Sequence, residues 1–296
     1  MLTEPSTTPP TRMKRILYGS FVALLTAPLI NLQIVYFTPE LALLTGNILS
    51  YAMSYKARLT FKLIEIKNIA LNTYDFIFSH DKKLAFQAGQ FMEWTLKHKS
   101  YDDRGVRRYF TLASSPTEES VRIGVKVYEK PSTFKRSLLM LKPGDTLVAS
   151  QLGGEFVLPA DKNKKLVFVA GGIGVTPFRS MVKYLIDNND KRDIIIFYAA
   201  NSYKEIVYKE IFDLAKEKLN LKTIYVLKDT KHAPDSLIYE SGFINKEMIL
   251  KHVNDVSDRL FYISGPRSMI NHFKEILKDL EVSRNSIKTD FFPGYA

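Results

Sequence analysis

LVFVAGGIGVTP, residues 166–177, changes character halfway along. Leu166 to Ala170 form an unbroken apolar run, the composition of a strand buried on both faces. Gly171, Gly172 and Gly174 follow. Pro177 then opens VTPFRSMVKYLID, which has helical spacing. A strand that turns through glycines into a helix is the repeating unit of a parallel sheet covered by helices. At such a turn the backbone can approach a ligand without Cβ atoms in the way. Its bare N–H groups and the positive helix end suit an anion, most simply a diphosphate. A tight turn with no ligand would use the same glycines, and the spacing is not the G-x-G-x-x-G of the usual dinucleotide fingerprint.

Outward toward the C-terminus the alternation continues. DIIIFYAA, LKTIYVLKD and RLFYISGP read as strands, and KEIVYKEIFDLAKEK and RSMINHFKEILKDL as helices. FYISGPRSM, 261–269, repeats the strand–turn–helix unit, with Ser264 at a strand end facing the same crevice as the glycine turn. In FYAANSYKE, 197–205, an acidic residue at the strand end would bind a ribose 2′-hydroxyl. Asn201, Ser202 and Lys204 would instead tolerate a 2′-phosphate.

Outward toward the N-terminus the grammar changes at ADKNKK, 160–165. From Lys56 to Pro159 six short, β-branched and aromatic-rich stretches stand between turn residues: ARLTFKLIEIKNIA, TYDFIFSH, FQAGQFMEWTL, RRYFTLASSP, VRIGVKVY and DTLVASQLGGEFVLP. Their spacing predicts a six-stranded antiparallel barrel. One helix, FKRSLLMLK, interrupts them behind Pro131-Ser132-Thr133. Arg107 and Arg108 put two fixed charges at the mouth of an apolar strand. Arg108 can hold a diphosphate bidentately, Thr111 can hydrogen-bond a heterocycle, and the Pro131–Lys135 helix start offers N–H groups and the Lys135 ammonium. A surface ion pair is the other reading of the two arginines.

The first 56 residues pose a separate question. Residues 1–12 are rich in Ser, Thr and Pro. Ile16 to Pro39 is an uncharged run of 24 residues, and Leu41 to Tyr55 a second of 15. Arg12, Lys14 and Arg15 precede the first; Lys56 and Arg58 follow the second. A hydrocarbon core of roughly 30 Å and the positive-inside rule predict a membrane hairpin over residues 14–55, turning near Pro39–Glu40. That places the protein in the cell membrane with its other parts in the cytoplasm. A single interfacial anchor or a buried helix pair are alternatives; a signal peptide fits less well, because no A-x-A site follows.

Composition narrows the chemistry. The 296 residues carry no cysteine, which excludes disulfides, thiolate metal sites, cysteine-ligated iron–sulfur clusters and thiol nucleophiles within this chain. The five histidines, His80, His98, His232, His252 and His272, have no metal-ligand spacing, so no metal is expected. Net charge is +11, but no basic run is interleaved with aromatics, so nucleic acid is not expected as a partner.

Taken in order, F-x-x-G-Q-F (86–91), R-x-[YF]-[ST] (108–111), L-K-P-G-D (141–145), G-G-x-F (153–156), G-G-x-G-x-x-P (171–177) and x-G-P-x-x-M (264–269) resemble the ferredoxin–NADP reductase superfamily over about 57–296. The resemblance implies an FAD-binding barrel in 57–159 and an NAD(P)-binding α/β domain in 160–296, behind the apolar helical hairpin expected in 1–56. It implies FAD binding by Arg108, Tyr109, Phe110 and Thr111, joined by Ser132, Thr133 and Lys135. It implies NAD(P)H binding by Gly171, Gly172, Gly174, Thr176 and Pro177, with Gly265 and Pro266 beside the nicotinamide. Thr111 and Ser264 would stand at the hydride path. Phe292 or Phe291, in the tail TDFFPGYA, would cover the flavin ring. Many relatives have cysteine where Ser264 stands and tyrosine where Phe110 stands. Relatives with a cluster domain carry cysteines that this chain lacks, so electrons would leave to a separate carrier protein or a quinone-like acceptor. The expected activity is a membrane-tethered, FAD-dependent NAD(P)H oxidoreductase; the alternative is an electron-transfer subunit of a larger membrane complex with little turnover alone.

Overall fold

The computed structural model describes residue 9 and residues 12–26, 38–53, 58–81, 84–99 and 101–292; of Arg12, Phe291 and Phe292 it describes the backbone alone. Two helices come first, α1 (Arg12–Thr26) and α2 (Pro39–Met53), of 15 residues each. They pack on one another through Tyr18, Val22 and Ala42, and the Tyr18 hydroxyl donates to Asn47 Oδ1 at 3.0 Å. The expected membrane hairpin finds no support among the described residues. At 1.5 Å per residue each helix is roughly 22 Å long, against roughly 30 Å of hydrocarbon. Among the described residues no helix is long and apolar enough to cross a membrane. The predicted cell-membrane location, with the other parts facing the cytoplasm, falls with it. The stretch that would have lengthened the first helix to Pro39 lies mostly outside the described residues.

The six predicted strands all form: β1 (Leu59–Ala70), β2 (Thr73–His80), β3 (Phe91–Thr95), β4 (Arg107–Thr111), β5 (Val121–Lys126) and β6 (Thr146–Gly153). They make one antiparallel sheet in the order β4-β3-β6-β1-β2-β5. The sheet curls into a half-barrel whose edges meet beyond β4, where the Ala113 N–H donates to the Arg122 carbonyl at 2.8 Å. Alternation fixes the inner face: Leu59, Phe61 and Leu63 are buried while Thr60 and Lys62 are exposed. Trp94 sits at the centre, its ring 4.9 Å from Phe61 and 5.0 Å from Phe78. The helix α3 (Thr133–Leu139) buries Phe134 and Leu138 against this core, and the Ser132 hydroxyl caps it by accepting from the Lys135 N–H.

The second sheet is parallel throughout. Its strands are β7 (Lys165–Gly171), β8 (Ile194–Ser202), β9 (Lys222–Asp229), β10 (Tyr239–Ser241), β11 (Arg259–Pro266) and β12 (Ile287–Phe292), in the order β10-β9-β8-β7-β11-β12. The chain runs from β7 out to β10, then crosses back to the other side of β7. That reversal opens a crevice at the carboxyl ends of β7 and β11. The helices α4 (Thr176–Asp187) and α5 (Lys209–Leu219) cover one face, and α6 (Lys246–His252) and α7 (Arg267–Asp279) the other. This double cover is why Leu166 to Gly171 are all buried. The strand β10, the helix α6 and the strand character of β12 went unread in the sequence. The helix predicted from Lys204 begins instead at Lys209, because Tyr208 takes a left-handed conformation, φ 59°, that breaks the run.

Candidate functional site

The glycine turn lies where the sheet reverses. Residues 172–175 form a short 3₁₀ turn between β7 and α4, and Pro177 stands in the first turn of α4. Gly172 has φ +53°, and no heavy atom lies within 4 Å of where its Cβ would be. The turn therefore offers open space above a backbone only glycine adopts easily. Gly174 has the opposite reason. A Cβ there would meet Gly265 Cα at 2.7 Å, so glycine lets the turn lie directly against the end of β11. The Thr176 hydroxyl donates back to the Ile173 carbonyl at 3.1 Å and steadies the turn.

A cleft of about 510 Å³ opens over this turn. Gly171, Gly172 and Gly174 line one wall, and Gly265, Pro266 and Met269 another. Ser264 is fully buried beside Gly265, and its hydroxyl has no hydrogen-bond partner among the described residues. An orphaned buried hydroxyl costs about 1–3 kcal/mol unless something bonds it. Ser264 is the position expected beside the nicotinamide, and its unpaired hydroxyl together with the open glycine cradle fits a dinucleotide. Pro266 pairs in register with Phe292 across β11 and β12, so the backbone of the tail reaches this wall; the Phe292 side chain lies outside the described residues. Glu205, the last residue of FYAANSYKE, also lines the cleft, and it accepts from Asn201 Nδ2 at 3.2 Å and pairs with Lys126 at 2.7 Å.

On the half-barrel, β4 presents its residues to two sides. Thr111 is buried at the strand end, and Phe110 is half-buried with its ring 5.9 Å from Phe134. Tyr109 points to the side opposite Phe110: it is exposed and donates to Gln151 Oε1 at 3.0 Å. Arg108 lies over Phe134, 5.2 Å from the ring centre, and its guanidinium bonds the carbonyls of Arg104, Gly105 and Arg107 and, at 3.0 Å, Asp102. Arg107 pairs loosely with Glu93 at 3.7 Å, most of its side chain in solvent. The Thr133 hydroxyl is engaged elsewhere, bonding His98 Nε2 and accepting from the Asp102 N–H at 3.1 Å.

Charge gathers here. Burial, with Arg104 and Arg108 close by, pushes the Lys135 ammonium down to about 8. Three cations converge with Asp102 as the carboxylate bonded to two of them, a donor set suited to a polyanion such as a diphosphate. The cation cluster adjoins the cleft: Lys135 Nζ donates to the Lys126 carbonyl at 2.7 Å and lies 5.1 Å from the Tyr128 ring centre, and Lys126 and Tyr128 are among the residues that line the cleft.

Sequence reading missed the seam between the halves. Asp75 is fully buried and receives the Tyr208 hydroxyl and, at 2.6 Å, Arg122. Arg179 on α4 reaches across to Glu118. The available signal was the arginine inside VTPFRSMVKYLID: every residue from Thr176 to Val182 is buried, and an arginine in such a helix must be paired.

Residues 168–275 match the oxidoreductase NAD-binding domain family. The flavohemoprotein of Bacillus thuringiensis subsp. konkukian (strain 97-27) is 30% identical over 193 residues, covering 62% of this chain and 48% of that protein. A Na(+)-translocating NADH-quinone reductase subunit of Methylococcus capsulatus (strain ATCC 33009 / NCIMB 11132 / Bath) is 33% identical over 202 residues, 63% of this chain and 49% of that one. The chain thus spans about half the length of these curated relatives. Ferredoxin–NADP+ reductase from Plasmodium falciparum superposes with a TM-score of 0.66 at 19% identity, over 80% of this chain and 98% of that one. With its half-barrel and parallel sheet the chain has the ferredoxin–NADP reductase-like fold, and residues 168–275 within it match the oxidoreductase NAD-binding domain family.

Proposed function

We propose that this chain takes hydride from NAD(P)H and hands electrons to a separate protein carrier or quinone-like acceptor. In this reading residues 57–159 hold the flavin and 160–296 the nicotinamide. FAD, when bound, accepts a two-electron hydride and can release electrons one at a time. The protein's part is binding, alignment and exclusion of water. Arg108 and Lys135 hold the FAD diphosphate, the guanidinium exchanging its bonds to Asp102 and the loop carbonyls for phosphate oxygens. Ser132 and Thr133 shape the helix start beside it. Phe110 stands beside the flavin ring, and Thr111 offers its hydroxyl to the ring edge where hydride arrives.

In the cleft the N–H groups of the turn from Gly172, with Thr176 and Pro177 opening α4, receive the nicotinamide dinucleotide's diphosphate. Gly265 and Pro266 form the wall against the nicotinamide, and the Ser264 hydroxyl gains there the partner it lacks. Phe292 covers the flavin ring until nicotinamide replaces it. What supports the reading is an open glycine cradle in the cleft, with the Arg104–Arg108–Lys135 cation cluster adjoining it through the contacts of Lys135 with Lys126 and Tyr128. The absence of cysteine leaves this chain no cysteine-ligated cluster as its own acceptor. The likeness to the Methylococcus protein, which is named for NADH-quinone reduction, supports a quinone-side acceptor.

The test is the visible spectrum of purified protein before and after anaerobic NADH, and separately NADPH. The expected result is a flavin spectrum bleached by at least one nicotinamide, followed by reduction of ferricyanide. A yellow protein that neither nicotinamide bleaches would overturn the reading.

A further inference from the structure

Two residues past Thr111 on one side, and three past Thr176 on the other, the halves of the molecule grip each other. Arg179, 4% exposed, donates from Nη1 to the Ala113 carbonyl at 3.0 Å and from Nη2 to Glu118 Oε1 at 2.9 Å, and its Nη1 also meets Glu118 Oε2. Ser180, fully buried, donates to the Ser114 carbonyl at 2.6 Å. Glu118 in turn accepts from the Ser115 N–H at 2.6 Å. Ala113 and Ser114 continue the strand that carries Thr111. Arg179 and Ser180 sit in the first turns of the helix that begins at the glycine turn. One short path of fork-shaped and backbone bonds therefore joins the end of β4 to the diphosphate turn.

Such a contact is a poor way to gain stability. A buried arginine–carboxylate pair roughly breaks even against apolar residues of the same volume, and here the Arg179 Nε stays buried with no partner. What the planar fork supplies is a fixed distance and angle. Other bonds along the seam, Tyr208 to Asp75 and Lys126 to Glu205 at 2.7 Å, hold the halves together without it. Arg179 is thus free to serve spacing.

We propose that Arg179, seconded by Ser180, is a positioning residue that sets the spacing between the end of β4 and the glycine turn, and so between the two rings that react in the cleft. The inference rests on the function proposed above. It is tested with Arg179→Met, Arg179→Lys and Ser180→Ala in two measurements: anaerobic stopped-flow reduction of the FAD-loaded protein by the nicotinamide that bleaches it, and hydrogen exchange of residues 112–118 in flavin-free protein. Arg179→Met is expected to keep its flavin and bind nicotinamide within about threefold of wild type, while the limiting rate of bleaching falls about 10²-fold, the scale of a 1 Å misplacement. Its 112–118 amides exchange faster, and Arg179→Lys recovers part of both effects. Ser180→Ala loses about tenfold in limiting rate and carries the test if Arg179→Met does not fold. A limiting rate within about twofold of wild type in the folded variant, with unchanged exchange, overturns the inference. If wild-type protein bleaches and the variant bleaches as fast, only this inference falls; if wild-type protein is not bleached, the proposed function falls with it.

Discussion

The two regions proposed to hold diphosphates, the cation cluster of the half-barrel and the glycine turn of the parallel sheet, are built of opposite materials. The half-barrel region uses side chains, Arg104, Arg108 and Lys135, and burial, with the two arginines close by, pushes the Lys135 ammonium down to about 8. The parallel-sheet region offers a turn whose glycines leave the backbone bare. The difference follows from the architecture. A parallel sheet delivers a helix N-terminus to every strand end and has an anion site ready-made. An antiparallel strand such as β4 ends in no long helix, so its charge has to be carried on side chains.

The comparison breaks first at Arg108. Arg108→Ala removes the bidentate partner, and FAD affinity is expected to fall about a hundredfold, roughly 3 kcal/mol, as flavin absorbance lost on gel filtration. Nicotinamide-dinucleotide binding, by titration calorimetry, should stay near wild type. In the other region, Gly174→Ala forces the turn away from the β11 backbone. It is expected to cost about 2 kcal/mol of stability, read in urea unfolding, and to weaken NAD(P)H binding without removing FAD.

A smaller effect separates the regions by pH. Lys135 holds its proton less tightly in the folded, flavin-free protein than when unfolded, so folding stability rises as pH climbs from about 8 toward the ordinary lysine range. A bound diphosphate favours the protonated ammonium, so FAD affinity should fall over that same window. Lys135→Met should flatten that fall, and the backbone turn, with nothing to titrate, should show none. The smallest effect is at Arg107. Its pairing with Glu93 is long and largely solvated, so Arg107→Ala should change stability by under about 0.5 kcal/mol and leave flavin content unchanged. An Arg107 variant as depleted in flavin as Arg108→Ala would mean that the neighbouring charge had been misassigned.

Legibility in the sequence followed the range of the interactions. Strands β1 to β9, β11 and the helices α3, α4 and α7 were readable because their apolar periodicity, prolines and glycines act within a few residues. Gly172 and Pro177 were readable for the same reason. The uncharged N-terminus was less legible: helices are described over Arg12–Thr26 and Pro39–Met53, and most of the stretch between them lies outside the described residues. Thr133 was placed beside the flavin by motif position, but its hydroxyl is held by His98 and Asp102, a contact between loops about 30 residues apart that local pattern does not encode.

By itself the sequence determined the order of architectures, an antiparallel half followed by a parallel one, and the glycine turn on which a dinucleotide can rest. These follow from local periodicity and from the steric freedom of single residues. Only the tertiary structure decided that Ser264 is buried without a partner among the described residues, that Lys135 gathers with two arginines, and that Arg179 reaches Glu118 and Ala113 on the other half. Each depends on atoms brought together from segments far apart in the chain, where burial and charge, not sequence neighbourhood, set what a side chain can do.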